Sequence, residues 1–438
     1  MSIELLTVLF FGSLIVFLVL GLPLAFVLGG VSTAFLYFTW GPDAFYIVAS
    51  RMWTTMNNFT LIAIPLFILM AMLLERSGVA QNLYRMMHLW WGGVRGGLAI
   101  GTVGICGLFA AMCGISGAAV VSMGTIALPN MLKRGYDKEL ALGAINAGGG
   151  FGILIPPSIL MVLYSLITGV SVGQLFAAGI VPGVLLMVLV SLYIAIRCFI
   201  QPHMGPALPP EERGDWGEKM RALGSVLLPI FIVVIVLGSI FGGLATPTEA
   251  AAIGVFGAIV AALVNRQFSF AMLSDACMRT FRLTAMVMWI LFAAHAFSTA
   301  YNAMGAQAFI LEMMEYVPGG AWGALAAILV ILFLLGMVLD PVGIMLITLP
   351  VFLPIIQAHG FDPIWFGIVF IIMMEIGYMT PPFGFNLFYL KGVAPPEVTM
   401  GDIYRSVIPY TLVELVGLAI IIAFPALVLW LPALVYAR

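Results

Sequence analysis

Two proline pairs stand inside long apolar stretches, "GGGFGILIPPS" (148–158) and "EIGYMTPPFG" (375–384). A Pro-Pro pair removes two backbone donors and frees carbonyls upstream, so neither stretch runs through as one helix. Freed carbonyls and short hydroxyls are hard oxygen ligands, and a hard monovalent cation such as Na+ suits them. The half-helix that starts after each pair presents the positive end of its dipole, which favours a carboxylate. Around the first pair the candidate cation ligands are Gly150, Gly152 and Pro156; around the second they are Gly377, Thr380 and Pro381. Ser158 and Asn386 place side-chain oxygens at the same breaks, and with Glu375 and Gly384 they are the candidate substrate contacts.

Two further breaks interrupt long apolar runs. "CGISG" in 97–132 carries Ser116 and Gly117, and "LDPVG" in 322–355 carries Asp340. A carboxylate inside a membrane is costly and points to function. Asp before Pro is also a good helix N-cap, so Asp340 has two roles open to it. Glu375, just before the second proline pair, has three: neutralising a cation, shuttling protons or pairing with a neighbour. His295, alone in "WILFAAHAFS", reads as a packed, hydrogen-bonded residue. "TPTEAAA" (246–252) has the spacing of a capping box with Pro at the first helical position.

These residues need a scaffold, and composition says of what kind. The 438 residues are 63% hydrophobic and 8% charged, against about 25% charged in soluble domains. The mean hydropathy of +1.17 leaves no polar surface for a water-soluble fold. The apolar runs are continuous rather than alternating, which excludes a β-barrel and makes the chain an all-α, multi-pass membrane protein. The N-terminus lacks a basic n-region and a small-residue cleavage site, and reads as a first span. The cysteines Cys106, Cys113, Cys198 and Cys277 show no metal spacing. No G-x-x-x-x-G-K-[ST] occurs, so the chain does not bind ATP through a P-loop, and nothing suggests nucleic acid as a partner.

A repeat organises the breaks. Shifting the chain by 225 positions aligns 129–164 with 354–389, with seven identities in 36 positions. Pro129, Gly135, Asp137, Gly152, Pro156, Pro157 and Tyr164 meet Pro354, Gly360, Asp362, Gly377, Pro381, Pro382 and Tyr389. The identities fall on helix breakers, where chance matches of apolar letters contribute least. "KRGYDK" (133–138) is rich in cations and its partner "AHGFDP" (358–363) has none. Cytoplasmic loops collect Lys and Arg. The same element therefore faces the cytoplasm in one half and the outside in the other, the pattern of inverted repeats in secondary transporters.

The expected domains are a first repeat over 1–200, a polar cytoplasmic linker over 201–221, and a second repeat over 222–438. The first holds a cytoplasmic-side hairpin (97–132) and a broken helix (138–168). The second holds a periplasmic-side hairpin (322–355) and a broken helix (363–392). Spans are expected near 3–20, 24–40, 58–74, 177–197, 223–243, 247–265, 284–303 and 406–436, with interfacial helices at 78–93 and 268–282. The broken runs 97–132 and 322–355 fit either two full spans or a re-entrant hairpin. With hairpins, every Lys and Arg of the 17 faces the cytoplasm except Arg51 and Arg438; two spans in either run would spoil that asymmetry.

"KRGYDK…AGGGFGILIPPSILMVLY", "GLATPTEAAAIG" and "GFDPIWFGIV…MTPPFGFNLFYLKGVAPPE…DIYRSVIPY" resemble the large membrane subunit of tripartite ATP-independent periplasmic (TRAP) transporters over about residues 3–430. The branch it looks most like is that of mannitol, chloroaromatic and related acids. The resemblance implies an elevator-type fold of the ion transporter superfamily, with re-entrant hairpins and broken helices in inverted repeats. It implies Na+-coupled import of an organic acid across the bacterial inner membrane. A periplasmic binding protein would deliver the substrate, and a small four-helix membrane subunit would brace the large one. Carried over by motif, one Na+ site involves Ser116, Gly117 and the 150–157 break, and the other Asp340 and the 377–381 break. The first tip departs from the family's serine-rich pattern: Ala118 and Ala119 stand where hydroxyls often sit.

Proton coupling through Glu375 and Asp340 is the rival within transport. An intramembrane enzyme would need a nucleophile–base pair or a metal cluster, and His295 has no second His near it.

Overall fold

The computed structural model describes residues 2–436, and every regular element among them is helical. In the first half the chain forms α1 (Ile3–Val19), α2 (Leu24–Trp40), α3 (Ala44–Met56), α4 (Ala63–Arg76), α5 (Val79–Trp91), α6 (Gly97–Cys113), α7 (Ser116–Lys133), α8 (Lys138–Gly150), α9 (Ile159–Thr168) and α10 (Val172–Ile200). The polar stretch that follows carries α11 (Trp216–Gly224). The second half forms α12 (Leu227–Phe241), α13 (Pro247–Val264), α14 (Phe270–Ala303), α15 (Ala306–Glu315), α16 (Gly320–Gly336), α17 (Pro341–Ala358), α18 (Pro363–Tyr378), α19 (Phe385–Val393), α20 (Met400–Ala423) and α21 (Ala426–Tyr436).

Local signals start these helices. Asp137 caps α8 by accepting from Leu140 N at 2.9 Å. Asp362, its counterpart, caps α18 by accepting from Ile364 N at 2.7 Å. The capping box at α13 forms: Thr246 N donates to Glu249 Oε2 at 2.7 Å, and Glu249 N to Thr246 Oγ1 at 3.3 Å. A second box, Thr399 with Asp402, starts α20.

The broken helices are the core. In α8 every residue from Leu140 to Gly150 is buried, and in α18 every residue from Trp365 to Tyr378. A helix that is apolar all round belongs inside. The glycines closing α8 let three helices approach at once: Gly148 meets Cys106 of α6, Gly149 meets Val120 of α7, and Gly150 meets Glu375 of α18. Small residues at such contacts are how helices pack closely in a membrane. By contrast α1, α12 and α13 keep large apolar side chains on the surface, among them Ile15, Phe231 and Phe256. Seven helices among the described residues are long and apolar enough to cross a bilayer.

Packing follows a crossed pattern. α2 packs on α14, and α4 on α13. α7 packs on α19, and α9 on α17; α8 packs on α20, and α10 on α18. Within each half, the first hairpin arm lies on the broken helix, α6 on α8 and α16 on α18.

Three sequence expectations need correction. The interfacial helix at 268–282 and the span at 284–303 are one helix, α14, of 34 residues. Charged residues in its first turns are not helix breakers, and no Gly or Pro interrupts it. At about 1.5 Å per residue it is about 50 Å long, well beyond a hydrocarbon core of about 30 Å. The span at 406–436 is two helices, α20 and α21, parted at Phe424-Pro425. Residues 44–56, between the spans expected at 24–40 and 58–74, form a further helix, α3. The expected position of Arg438 lies outside the described residues.

Candidate functional site

At each proline pair the helix ends as the loss of backbone donors requires. After α8 the chain makes a short 3-10 turn at Phe151–Ile153 and restarts at Ile159. Ser158 joins the two pieces: its Oγ donates to Ile153 O at 2.5 Å and accepts from Met161 N at 3.5 Å. After α18, Thr380 Oγ1 donates to Ile376 O at 2.6 Å, which leaves the hydroxyl's lone pairs free. The chain restarts at Phe385, with Gly384 as the cap residue. Both Pro-Pro peptide bonds, Pro156-Pro157 and Pro381-Pro382, are cis.

Each hairpin tip sits against the break of its own half. In the first, only Gly114 and Ile115 separate α6 from α7. A side chain on Gly114 would collide with the Pro157 carbonyl, and Gly114 has a φ of +62°. A Cβ on Gly152 would lie 2.8 Å from Ser116 N. Ser116 therefore begins α7, and Gly117 lies in its first turn. In the second, residues 337–340 separate α16 from α17. Phe383 N donates to Met337 O at 3.1 Å, and a Cβ on Gly377 would lie 2.7 Å from the Gly336 Cα. Asp340 caps α17 by accepting from Gly343 N at 3.0 Å. The capping reading of Asp340 is thus realised, and only one carboxylate oxygen serves it.

The two tips also meet. A cavity of about 320 Å3 is lined by Ser116 and Ile115 from one tip, Asp340 and Val342 from the other, Ile159 of α9 and Phe385 of α19. Tyr378 and Tyr389 close one side, and Leu283, Met286 and Val287 of α14 another. The halves are tied directly: Ser116 Oγ donates to Asn386 Oδ1 at 2.8 Å, and Gly117 packs under the Tyr389 ring. The walls are mostly apolar, with a carboxylate, a hydroxyl and two phenols as the polar groups. Among the described residues no group of three or more His, Cys, Asp or Glu is placed to hold a metal. Oxygen ligands for a hard cation would come from the backbone of the breaks.

Of the sequence-derived candidates, Ser116 and Asp340 line the cavity. Gly152 and Gly377 lie in the tip–break junctions, Gly150 packs against Glu375, and Pro156, Thr380 and Pro381 lie in the breaks themselves. Ser158 and Asn386 are fully buried; Ser158 caps the start of α9, and Asn386 in the first turn of α19 accepts from Ser116. Gly384, between Tyr378 and Phe385, touches the Thr380 and Tyr378 carbonyls. Glu375 is away from the cavity, fully buried behind Gly150 and facing Glu414 of α20, which is also fully buried. Glu414 was invisible in the sequence, one acid in "YTLVELVG" with no motif around it. Of the three phenylalanines after the second break only Phe385 reaches the cavity; Phe383 and Phe388 stack on each other with ring centroids 6.5 Å apart.

Comparison with known proteins agrees with this architecture. The chain matches the DctM component family of tripartite ATP-independent periplasmic transporters over residues 11–427. It is 36% identical to the C4-dicarboxylate TRAP transporter large permease protein DctM of Pseudomonas aeruginosa, over 92% of this chain and 93% of that one. It is 32% identical to the ectoine TRAP transporter large permease protein TeaC of Halomonas elongata, over 98% of this chain and 100% of the other. Its fold resembles that of the MtrF transporter of Neisseria gonorrhoeae, with a TM-score of 0.65 at 13% identity, over 89% of this chain and 85% of that one. Matched along nearly its whole length, the chain belongs to the DctM family of TRAP transporter large permeases, multi-pass proteins of the inner membrane.

Proposed function

We propose that this chain is the transporting subunit of a Na+-coupled importer for an organic acid. The observation that carries the proposal is the convergence of both hairpin tips and both half-helix starts on one cavity. Residues 1–200 and 222–438 act as inverted repeats joined by the 201–221 linker; the crossed helix packing supports that reading. The hairpins are re-entrant, the first on the cytoplasmic side and the second on the periplasmic side.

Na+ is cargo in this scheme. The first ion is held by backbone oxygens of the 150–157 break with Ser116 and Gly117, and the second by those of Gly377, Thr380 and Pro381 with Asp340. Each ion holds a tip against its break, and the second ion also offsets the Asp340 charge. The substrate carboxylate then faces the starts of α9 and α19, where the half-helix dipoles favour an anion. The apolar walls take the body of the acid, which suits an aromatic or alkyl acid of the mannitol and chloroaromatic branch. C4-dicarboxylate, the solute named for one relative, supports a carboxylate substrate. Inward movement of the hairpins and broken helices against the remaining helices carries the load as an elevator. A substrate anion moving inward opposes the membrane potential by about 2.3 kcal/mol per charge per 100 mV, so coupling cations exceed the substrate charge. A periplasmic binding protein delivers the acid, and a small four-helix membrane subunit braces the carrier.

The test is uptake into proteoliposomes holding both membrane subunits, with the binding protein outside. Uptake is expected under an inward Na+ gradient and not under a pH gradient in Na+-free buffer. Robust uptake in the second condition contradicts the proposal and favours proton coupling.

A further inference from the structure

Behind the cavity, α8, α18 and α20 enclose two acids that the transport scheme above does not use. Glu375 and Glu414 are fully buried, and all four of their carboxylate oxygens lack a hydrogen-bond partner among the described residues. Their helices run antiparallel, since Trp365 Nε1 near the start of α18 donates to Ile421 O near the end of α20. Ten residues on from Trp365 and seven back from Ile421, the two acids are offset by about 4.5 Å along the helices, about one turn, and lie within electrostatic reach of each other. Helical side chains lean towards their own N-terminus, and with this offset Glu375 and Glu414 lean towards each other.

Two more unpartnered oxygens belong to the same place. Thr411 lies one turn before Glu414, beneath the direction in which Glu414 leans, and its Oγ1 is buried without a partner. Asn146 lies one turn before Gly150, the residue against which Glu375 packs; its amide donates to Leu142 O while its Oδ1 is bare and buried. The neighbours that packing gives the pair are Gly150 of α8, against Glu375, and Tyr410, one turn before Glu414, which donates to Leu140 O of α8 and lies edge-on to Tyr193 of α10. None is a cation. Lys138, the nearest cation along α8, pairs with Asp402 at 3.2 Å, three turns or about 18 Å down α20 from Glu414.

Two carboxylates buried without a counter-charge are not tolerated in a protein interior. One proton shared between them would leave most of these oxygens bare. One coordinated ion reaches several at once, and carboxylate, amide and hydroxyl oxygens are ligands for hard cations. We propose that Glu375 and Glu414, with Thr411 and Asn146, form a third cation site that takes Na+, separate from the two tip–break junctions. The site rests on the reading of this chain as a Na+-coupled carrier. It ties α20 to both broken helices, so the moving body of the scheme above also includes α20, which packs on α8 and α18.

The test is equilibrium binding of 22Na+ to the purified two-subunit complex, comparing wild type with Glu375→Gln, Glu414→Gln and the double variant. The double variant is expected to bind one Na+ fewer per complex, with a shallower Na+ dependence of uptake. Unchanged Na+ stoichiometry in a monodisperse double variant overturns the third site alone. If wild type binds no Na+ at all, the coupling itself fails. Should the variants not fold, infrared difference spectra of wild type in Na+ against K+ decide. A Na+-sensitive carboxylate band is expected; a carboxyl band that answers only to pH assigns the pair to a proton and overturns the proposal.

Discussion

Ser116 and Asn386 are 270 residues apart in sequence and share a buried hydrogen bond of 2.8 Å. One begins the second arm of the first hairpin; the other lies in the first turn of the half-helix after the second break. The bond therefore links the tip of one half to the half-helix start of the other, beside the cavity. Among the described residues the Asn386 Nδ2 is buried without a partner, so this corner is polar and incompletely satisfied.

Removing the bond should affect uptake more than folding. Ser116→Ala leaves the Asn386 oxygen bare, at a cost of about 1–3 kcal/mol. Uptake is expected to fall at least tenfold with a weaker apparent Na+ affinity. A double-mutant cycle with Asn386→Ala should show coupling of about 0.5–3 kcal/mol between the positions. Additive effects on uptake would show that the contact plays no part in transport.

Asp340→Asn keeps an acceptor for Gly343 N and so keeps the helix cap. It removes the charge from the cavity. Maximal uptake should be approached only at high Na+, and the Na+ concentration for half-maximal uptake should rise at least tenfold, about 1.4 kcal/mol. An unchanged Na+ dependence would remove Asp340 from the second site.

The tip–break contact predicts a graded response among glycines. Gly114→Ala meets both an unfavourable φ and the Pro157 carbonyl, whereas Gly135, with a φ of +75°, has nothing within 4 Å of an added Cβ. Gly135→Ala should cost about 1 kcal/mol and leave uptake near wild type. Gly114→Ala should cost more and abolish Na+-driven uptake, as read by thermal unfolding in detergent beside proteoliposome transport. Equal effects of the two would contradict the close docking of tip on break.

Sidedness has a native probe. Cys277 on α14 is exposed, while Cys106, Cys113 and Cys198 are buried. A membrane-impermeant maleimide should label Cys277 in inside-out vesicles and not in right-side-out spheroplasts. Labelling from the outside would reverse the topology.

The sequence was most legible where the chain breaks its own pattern. The proline pairs, the "CGISG" and "LDPVG" interruptions and the "TPTEAAA" box are local events, and each ends or starts a helix close to where residue chemistry requires. Within the tips the placement shifted: Gly117 and Gly343 lie in first helical turns, and the breaks fall just before them. The continuity of α14 is less legible, since its 34 residues exceed the length of a single bilayer crossing. The Ser116–Asn386 bond and the facing of Glu375 with Glu414 could not be read locally, since each joins helices from distant parts of the chain. A lone acid such as Glu414 in an apolar run gains meaning only when packing removes water and every counter-charge from around it.

The central claim is that this carrier moves Na+ with its substrate. The direct measurement is 22Na+ entry into proteoliposomes of the complete complex, started by adding substrate-loaded binding protein at a fixed inside-negative potential. Substrate-dependent 22Na+ influx, with more than one Na+ entering for each substrate charge, is the predicted result. Substrate accumulation without any accompanying 22Na+ movement would contradict the account.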